Sequence, residues 1–137
     1  MKAAVLYFSL TGNTRKVAEV LGKAGADLYE VEADNKLYAF LGFVKAPVFD
    51  ASEYDLIVLG CPVWARMPAR PLTQAIKKMD FKGRPVNAFV THMDDEGKST
   101  EKVLKAAGKK GAVQGKSASF KMDKELDEDV VRELLSS

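Results

Sequence analysis

Three stretches of this 137-residue chain are apolar on consecutive residues: "AAVLYF" (3–8), "DLIVLG" (55–60) and "VNAFVT" (86–91). A strand with one face in water alternates apolar and polar side chains, whereas a strand buried on both faces has no polar face to show. Runs of this kind describe the central strands of a parallel sheet covered by helices on both sides. Two further segments have edge character. "DLYEVEA" (27–33) alternates, and "AVQGKSASF" (112–120) is polar over much of its length.

The intervening segments have helical patterns. Residues 13–25 place Val17, Val20 and Leu21 on one face and stop at Gly25. Residues 70–79 carry Pro71 in the first turn, where its missing N–H costs least. Residues 99–111 open on Ser99 with Glu101 following, as the helix dipole favours, and residues 124–135 are acidic early and apolar late. Five strands alternating with helices define an α/β architecture, a doubly wound parallel sheet, in a single domain over residues 1–137. The irregular segment 35–49, with Tyr38, Phe40, Phe43 and Phe49, must cross from the second strand to the third. It reads as a short crossover helix plus loop. A second reading is an exposed apolar lip for a partner or a quinone.

Bulk properties exclude several classes. A net charge of +2 lacks the strong basicity of a nucleic-acid binder and the acidity of a disordered tail. One cysteine, Cys61, forbids an internal disulfide and argues against a structural zinc site. No stretch reaches the ~20 apolar residues of a membrane span, so no membrane insertion is expected. The apolar start is short and carries no cleavage site, so it reads as the first strand, and a cytoplasmic protein is expected.

In such sheets ligands bind beyond the carboxyl ends of the strands, where strand order reverses. Three loops reach that end. The first, "SLTGNT" (9–14), gathers hydroxyls and a glycine at a strand-to-helix turn. Free N–H groups and the helix dipole suit an anion there, and Gly12 permits close approach. Ser9, Thr11 and Thr14 add donors without charge, which suits a phosphate monoester better than a nucleoside triphosphate, whose loops supply a lysine. A well-capped helix start is the plainer alternative.

The second loop, "GCPVWARMPARP" (60–71), is stiffened by three prolines and carries Trp64, either to stack on a flat ring or to lid its own core. Cys61 reads as a small buried apolar group. The third, "THMDDEGKST" (91–100), contains a decoy. "GKST" imitates the tail of a P-loop, but His92 occupies the position where that motif needs its first glycine, so ATP binding is rejected. Thr91, His92 and Met93 remain candidates for contacting a ring, with His92 read as a loop histidine rather than a proton donor. A phosphoacceptor receiver shares this topology, yet it needs acids after the first strand and an aspartate after the third. Here Tyr7, Phe8 and Ser9 follow one, and Gly60, Cys61 and Pro62 the other.

With these loops in place the whole chain resembles the flavodoxins, in their short-chain form. Ser9-x-Thr11-Gly12-Asn13-Thr14 matches the family's FMN phosphate signature, "YDLIVLGCPVW" (54–64) is similar to its third strand and flavin loop, and "FKGRPVNAFVTH" (81–92) to its fourth strand. The resemblance implies strand order 2-1-3-4-5 and FMN as cofactor. It implies that Ser9, Thr11, Gly12, Asn13 and Thr14 hold the phosphate. Pro62, Val63, Trp64 and Ala65 would line one side of the isoalloxazine, and the loop from Thr91 through His92 and Met93 to Gly97 the other. No catalytic side chain and no metal is implied, because the flavin supplies the redox chemistry.

Two departures from the family pattern stand out. Ala65 occupies the place of a glycine whose peptide turns over toward reduced flavin N5, and a positive φ at alanine costs about 1 kcal/mol. This implies weaker stabilisation of the neutral semiquinone. The third loop has His92, Met93, Asp94, Asp95 and Glu96 in place of glycines and an aromatic ring, and acids beside the flavin would lower its second reduction potential. The expected function is electron transfer between redox partner proteins. The alternatives are an FMN-dependent reductase linking a nicotinamide cofactor to a quinone, and an interaction domain that has lost FMN. Electron-shuttling flavodoxins are strongly acidic, and the +2 balance of this chain is not.

Overall fold

The computed structural model describes residues 1–136. The elements in chain order are β1 (Ala3–Tyr7), α1 (Asn13–Lys23), β2 (Asp27–Glu30), α2 (Lys36–Leu41), β3 (Leu56–Trp64), β4 (Met67–Pro68), α3 (Arg70–Lys77), β5 (Pro85–His92), α4 (Ser99–Gly108), β6 (Val113–Lys121) and α5 (Glu128–Glu133). The five long strands form one parallel sheet in the order β2-β1-β3-β5-β6, with β4 paired antiparallel to β3. Counting only the long strands, this is the order 2-1-3-4-5. Strand order reverses between β1 and β3, so the loops leaving those two strands diverge and open a crevice.

The consecutive apolar runs are explained by the two core layers. Along β1, Ala3, Val5 and Tyr7 face α1 and α5, packing with Val17, Leu21, Val131 and Leu134. Ala4, Leu6 and Phe8 face the other side, with Leu72 and Ile76 of α3 and Val103 and Leu104 of α4. Each fully buried side chain of this size stabilises the fold by roughly 1.5–3 kcal/mol over leaving it exposed. Burying both faces is therefore what fixes the central strands and leaves β2 and β6 at the polar edges.

Some boundaries differ from the sequence expectation. The last helix begins at Glu128, not at 124, because the Asp127 carboxylate accepts from the N–H groups of Asp129 (3.0 Å) and Val130 (3.4 Å) and caps it there. The stretch around Pro62 and Trp64 is not a free loop. β3 continues through it, and the chain folds back at Ala65–Arg66 so that Val63 faces Pro68 and Trp64 faces Met67. The crossover segment is the short helix plus loop expected, with several apolar side chains exposed. α2 is a six-residue helix capped by Asn35, whose side chain accepts from Tyr38 N at 2.9 Å, and it leaves Leu37, Phe40 and Phe43 more than 60% exposed. Among the described residues no helix is long and apolar enough to cross a membrane.

Candidate cofactor site

A cavity of about 480 Å³ opens at the carboxyl ends of β1, β3 and β5. Thr11, Asn13 and Thr14 line it from the first loop, Pro62 to Arg66 from the hairpin, and Thr91 to Asp95 from the third loop. The volume lies within the ~300–1,000 Å³ of small-molecule and cofactor sites.

The first loop is built around Ser9. Its Oγ accepts from Gly12 N (3.1 Å) and Arg15 N (3.2 Å), which folds the chain tightly into α1. Gly12 sits at φ +97°, a left-handed conformation that a side chain would strain. The N–H groups of Thr11, Asn13 and Thr14 find no protein acceptor among the described residues. Three open donors at the positive end of an eleven-residue helix make an anion seat. Arg15 takes no part in it. Its guanidinium grips Glu30 through Nε (3.0 Å) and a terminal nitrogen (2.8 Å), while Tyr7 donates to the same carboxylate at 2.8 Å. The Arg15 hydrogen bond holds the Glu30 carboxyl below its usual range, and burial followed by the bond to Glu30 pushes the Tyr7 phenol up to about 12. The seat is thus lined by neutral donors.

Thr14 is fully buried, and its hydroxyl meets that of Thr91 at 2.8 Å. This contact ties the first loop to the third across the sheet. Trp64 covers its own core and also faces the cavity. Its ring is edge-on to Phe8 at 5.7 Å, nearly parallel to the exposed Phe40 at 5.8 Å, and also lines the cavity.

The hairpin and the third loop are joined as well. Ala65 and Arg66 both adopt positive φ, +51° and +63°, as a two-residue turn between antiparallel strands requires. Arg66 extends to Asp95, 3.0 Å away, and Gly97 donates to Asp95 at 2.8 Å. The Gly97 bond, then the Arg66 charge, hold the Asp95 carboxyl below its ordinary range. Gly97 is required here, since a Cβ would lie 2.2 Å from the Arg66 carbonyl oxygen. His92 Nδ1 is 2.6 Å from the Asp94 carbonyl oxygen, which pins that ring to its own loop.

Of the residues singled out in the sequence, Thr11, Asn13, Thr14, Pro62, Val63, Trp64, Ala65, Thr91, His92 and Met93 line the cavity. Ser9, Gly12 and Gly97 stand behind it as supports for the loops. Leu10, Arg66, Asp94 and Asp95 complete the lining. Arg66 carried no sequence cue, since its turn lacks the usual turn residues and its reach to Asp95 depends on how two distant loops approach. The decoy "GKST" is folded inward: Ser99 bonds the Glu96 carbonyl and Thr100 its carboxylate. Cys61 is completely buried, and burial pushes its thiol up to about 12.

The class defined by this sheet order and crevice is the flavodoxin-like fold. No family model matches the chain. A flavodoxin from Maridesulfovibrio salexigens is 27% identical over 95 residues, which is 64% of this chain and 61% of that protein's length. A flavoprotein from Lactobacillus acidophilus, solved in complex with FMN, superposes with a TM-score of 0.71 at 24% identity, covering 89% of this chain and 95% of that one. A flavodoxin from the domain Archaea gives 0.66 at 19% identity over 98% of this chain and 93% of its own. The fold of the chain is flavodoxin-like, and the sequence similarity to a flavodoxin extends over 95 residues.

Proposed function

We propose that this chain binds FMN non-covalently and passes electrons between protein partners. The observation that carries the reading is the seat at the start of α1, where the open N–H groups of Thr11, Asn13 and Thr14 meet a cavity of cofactor size. A neutral seat fits a phosphate monoester at a helix N-terminus, because the dipole and hydroxyls balance its charge without a lysine. Thr11, Gly12, Asn13 and Thr14 would hold the phosphate, with Ser9 shaping the loop. The isoalloxazine would lie between Pro62, Val63, Trp64 and Ala65 on one side and Thr91, His92 and Met93 on the other, with Gly97 holding that loop in place. Bound FMN supplies one- and two-electron redox chemistry. The chain binds it, screens one face with Trp64, and sets the local charge. In this reading the protein works in the cytoplasm, where a lone thiol stays reduced.

The test is fluorescence titration of the FMN-free protein with FMN, using riboflavin as the control. Tight quenching by FMN and much weaker quenching by riboflavin is the expected result. Equal affinity for both would remove the phosphate seat, and no flavin-dependent change in folded protein would remove the cofactor. Turnover of NADH or NADPH with a quinone acceptor would move the assignment from carrier to reductase.

A further inference from the structure

The side of the cavity that carries Trp64 opens onto a surface that is apolar at its centre and flanked by the cations Arg70 and Lys102. Phe40 stacks on Trp64 and is 64% exposed, and Met67, paired with Trp64 across the hairpin, is 51% exposed. Lys102 Nζ lies 3.1 Å from Met67 Sδ and 3.5 Å from the Arg66 carbonyl oxygen. Arg70 is at the other flank, its Cβ 3.7 Å from where a Cβ on Gly42, the residue closing α2, would stand. Among the described residues Arg70 and Lys102 have no carboxylate within 4.0 Å, and only Arg66 is paired, with Asp95. Large exposed aromatic and methionine side chains next to uncompensated cations are the makings of an interface core with a charged rim.

We propose that this surface, formed by Phe40, Met67, Arg70 and Lys102, docks an electron-transfer protein whose own redox centre is ringed by carboxylates. The inference rests on the FMN reading and adds to it the sign of the partner's charge. Opposite charges steer the encounter, and the apolar centre excludes water where Trp64 links the surface to the cavity. The net reaction is one electron leaving reduced FMN and reducing one oxidised metal centre of the partner, with no bond made at the acceptor.

The experiment uses the FMN-loaded protein, reduced photochemically and mixed by stopped flow with two acceptors: an acidic blue-copper protein, plastocyanin, and basic cytochrome c. Between about 20 mM and about 500 mM NaCl, the rate with Cu(II) plastocyanin is expected to fall about tenfold or more, while the rate with cytochrome c rises or stays level. The double variant R70E/K102E should slow plastocyanin by about tenfold, with its FMN affinity unchanged within about twofold. The opposite salt dependence, or an R70E/K102E variant as fast as the parent, would overturn the proposal. A second readout separates it from the cofactor reading. Adding Cu(I) plastocyanin to the 15N-labelled, FMN-free chain at low salt should shift the amide signals of Phe40, Met67 and Arg70. If the chain binds no flavin but those signals move, the docking surface stands alone. If they stay still in folded protein, the surface is refuted whatever the flavin does.

Discussion

The buried hydroxyl pair Thr14–Thr91 makes a quantitative prediction, because one hydrogen bond there joins two of the three cavity loops. Thr14 and Thr91 are 1% and 2% exposed, and their oxygens are 2.8 Å apart. Thr14→Val keeps the side-chain shape but leaves the buried Thr91 hydroxyl without its protein partner. The expected cost is the desolvation penalty of that orphaned group, about 1–3 kcal/mol, and Thr91→Val should cost about the same for the converse reason. Replacing both removes both polar groups, so the double variant should cost less than the two single changes added together, with a coupling energy of about 1–2 kcal/mol. Urea unfolding of the FMN-free protein measures all four corners, with an unchanged m-value as the check that only stability moved. In a chain of this size each kcal/mol shifts the melting temperature by about 2–5 °C, so the effect is well above error. Strict additivity of the two costs would refute the reasoning, since it would mean that the hydroxyls do not depend on one another. The pair also has a consequence for the cofactor. If Thr91 donates to Thr14, the Thr14 proton stays available to an acceptor in the cavity, so Thr91→Val should weaken FMN more than riboflavin.

Three further outcomes are expected. Ala65→Gly should raise stability by up to about 1 kcal/mol, because relief of the left-handed strain at φ +51° exceeds the added freedom of the unfolded chain; a lower melting temperature would contradict this. Gly97→Ala should cost about 2 kcal/mol or more, since its φ is +61° and its new methyl meets the Arg66 carbonyl; thermal unfolding equal to the parent would mean that the two loops are not held together as described. Cys61 should resist a thiol reagent at pH 8 in the native protein and react once after unfolding in urea. Its folded value is raised above its unfolded one, so its contribution to stability is complete below about 9 and is lost as pH climbs toward about 12. Cys61→Ala should make alkaline unfolding less steep, and a native thiol that reacts at once would refute its burial.

Most of the fold was legible because both-face burial leaves a mark that survives in one dimension. β1, β3 and β5 read as strands from their unbroken apolar runs, and the same burial explains why their alternate residues divide between two core layers. Boundaries decided by a single cap were harder. Asp127 halts the last helix at its N-terminus by accepting two N–H bonds, and in sequence it is one acid among several. The first loop was legible as a candidate anion seat because its hydroxyls and glycine fall within six residues at a strand-to-helix turn. The hairpin was not, since "WARM" has none of the Asn-Gly or Asp-Gly signals that favour a tight turn. Its two left-handed residues are held by strand pairing and by the third loop rather than by their own preference.

The charge question illustrates the same limit from the other direction. A whole-chain balance of +2 argued against an acidic carrier, and the run Asp94-Asp95-Glu96 argued for local acidity beside the flavin. Neither statement describes the site. Asp95 is neutralised across the cavity mouth by Arg66, while the nearest surface beyond that pair carries Arg70 and Lys102 without counter-ions among the described residues. Among the described residues Asp94 is then the carboxylate of the cavity lining that has no ion-pair partner. The expected lowering of the second reduction potential should accordingly be smaller than three acids would give, and Arg66→Ala should deepen it by exposing the Asp95 charge. An exposed pair of this kind is screened by salt, so the Arg66→Ala shift should shrink as ionic strength rises. A redox titration at low and high salt, showing a shift independent of both Arg66 and salt, would place the controlling charge elsewhere.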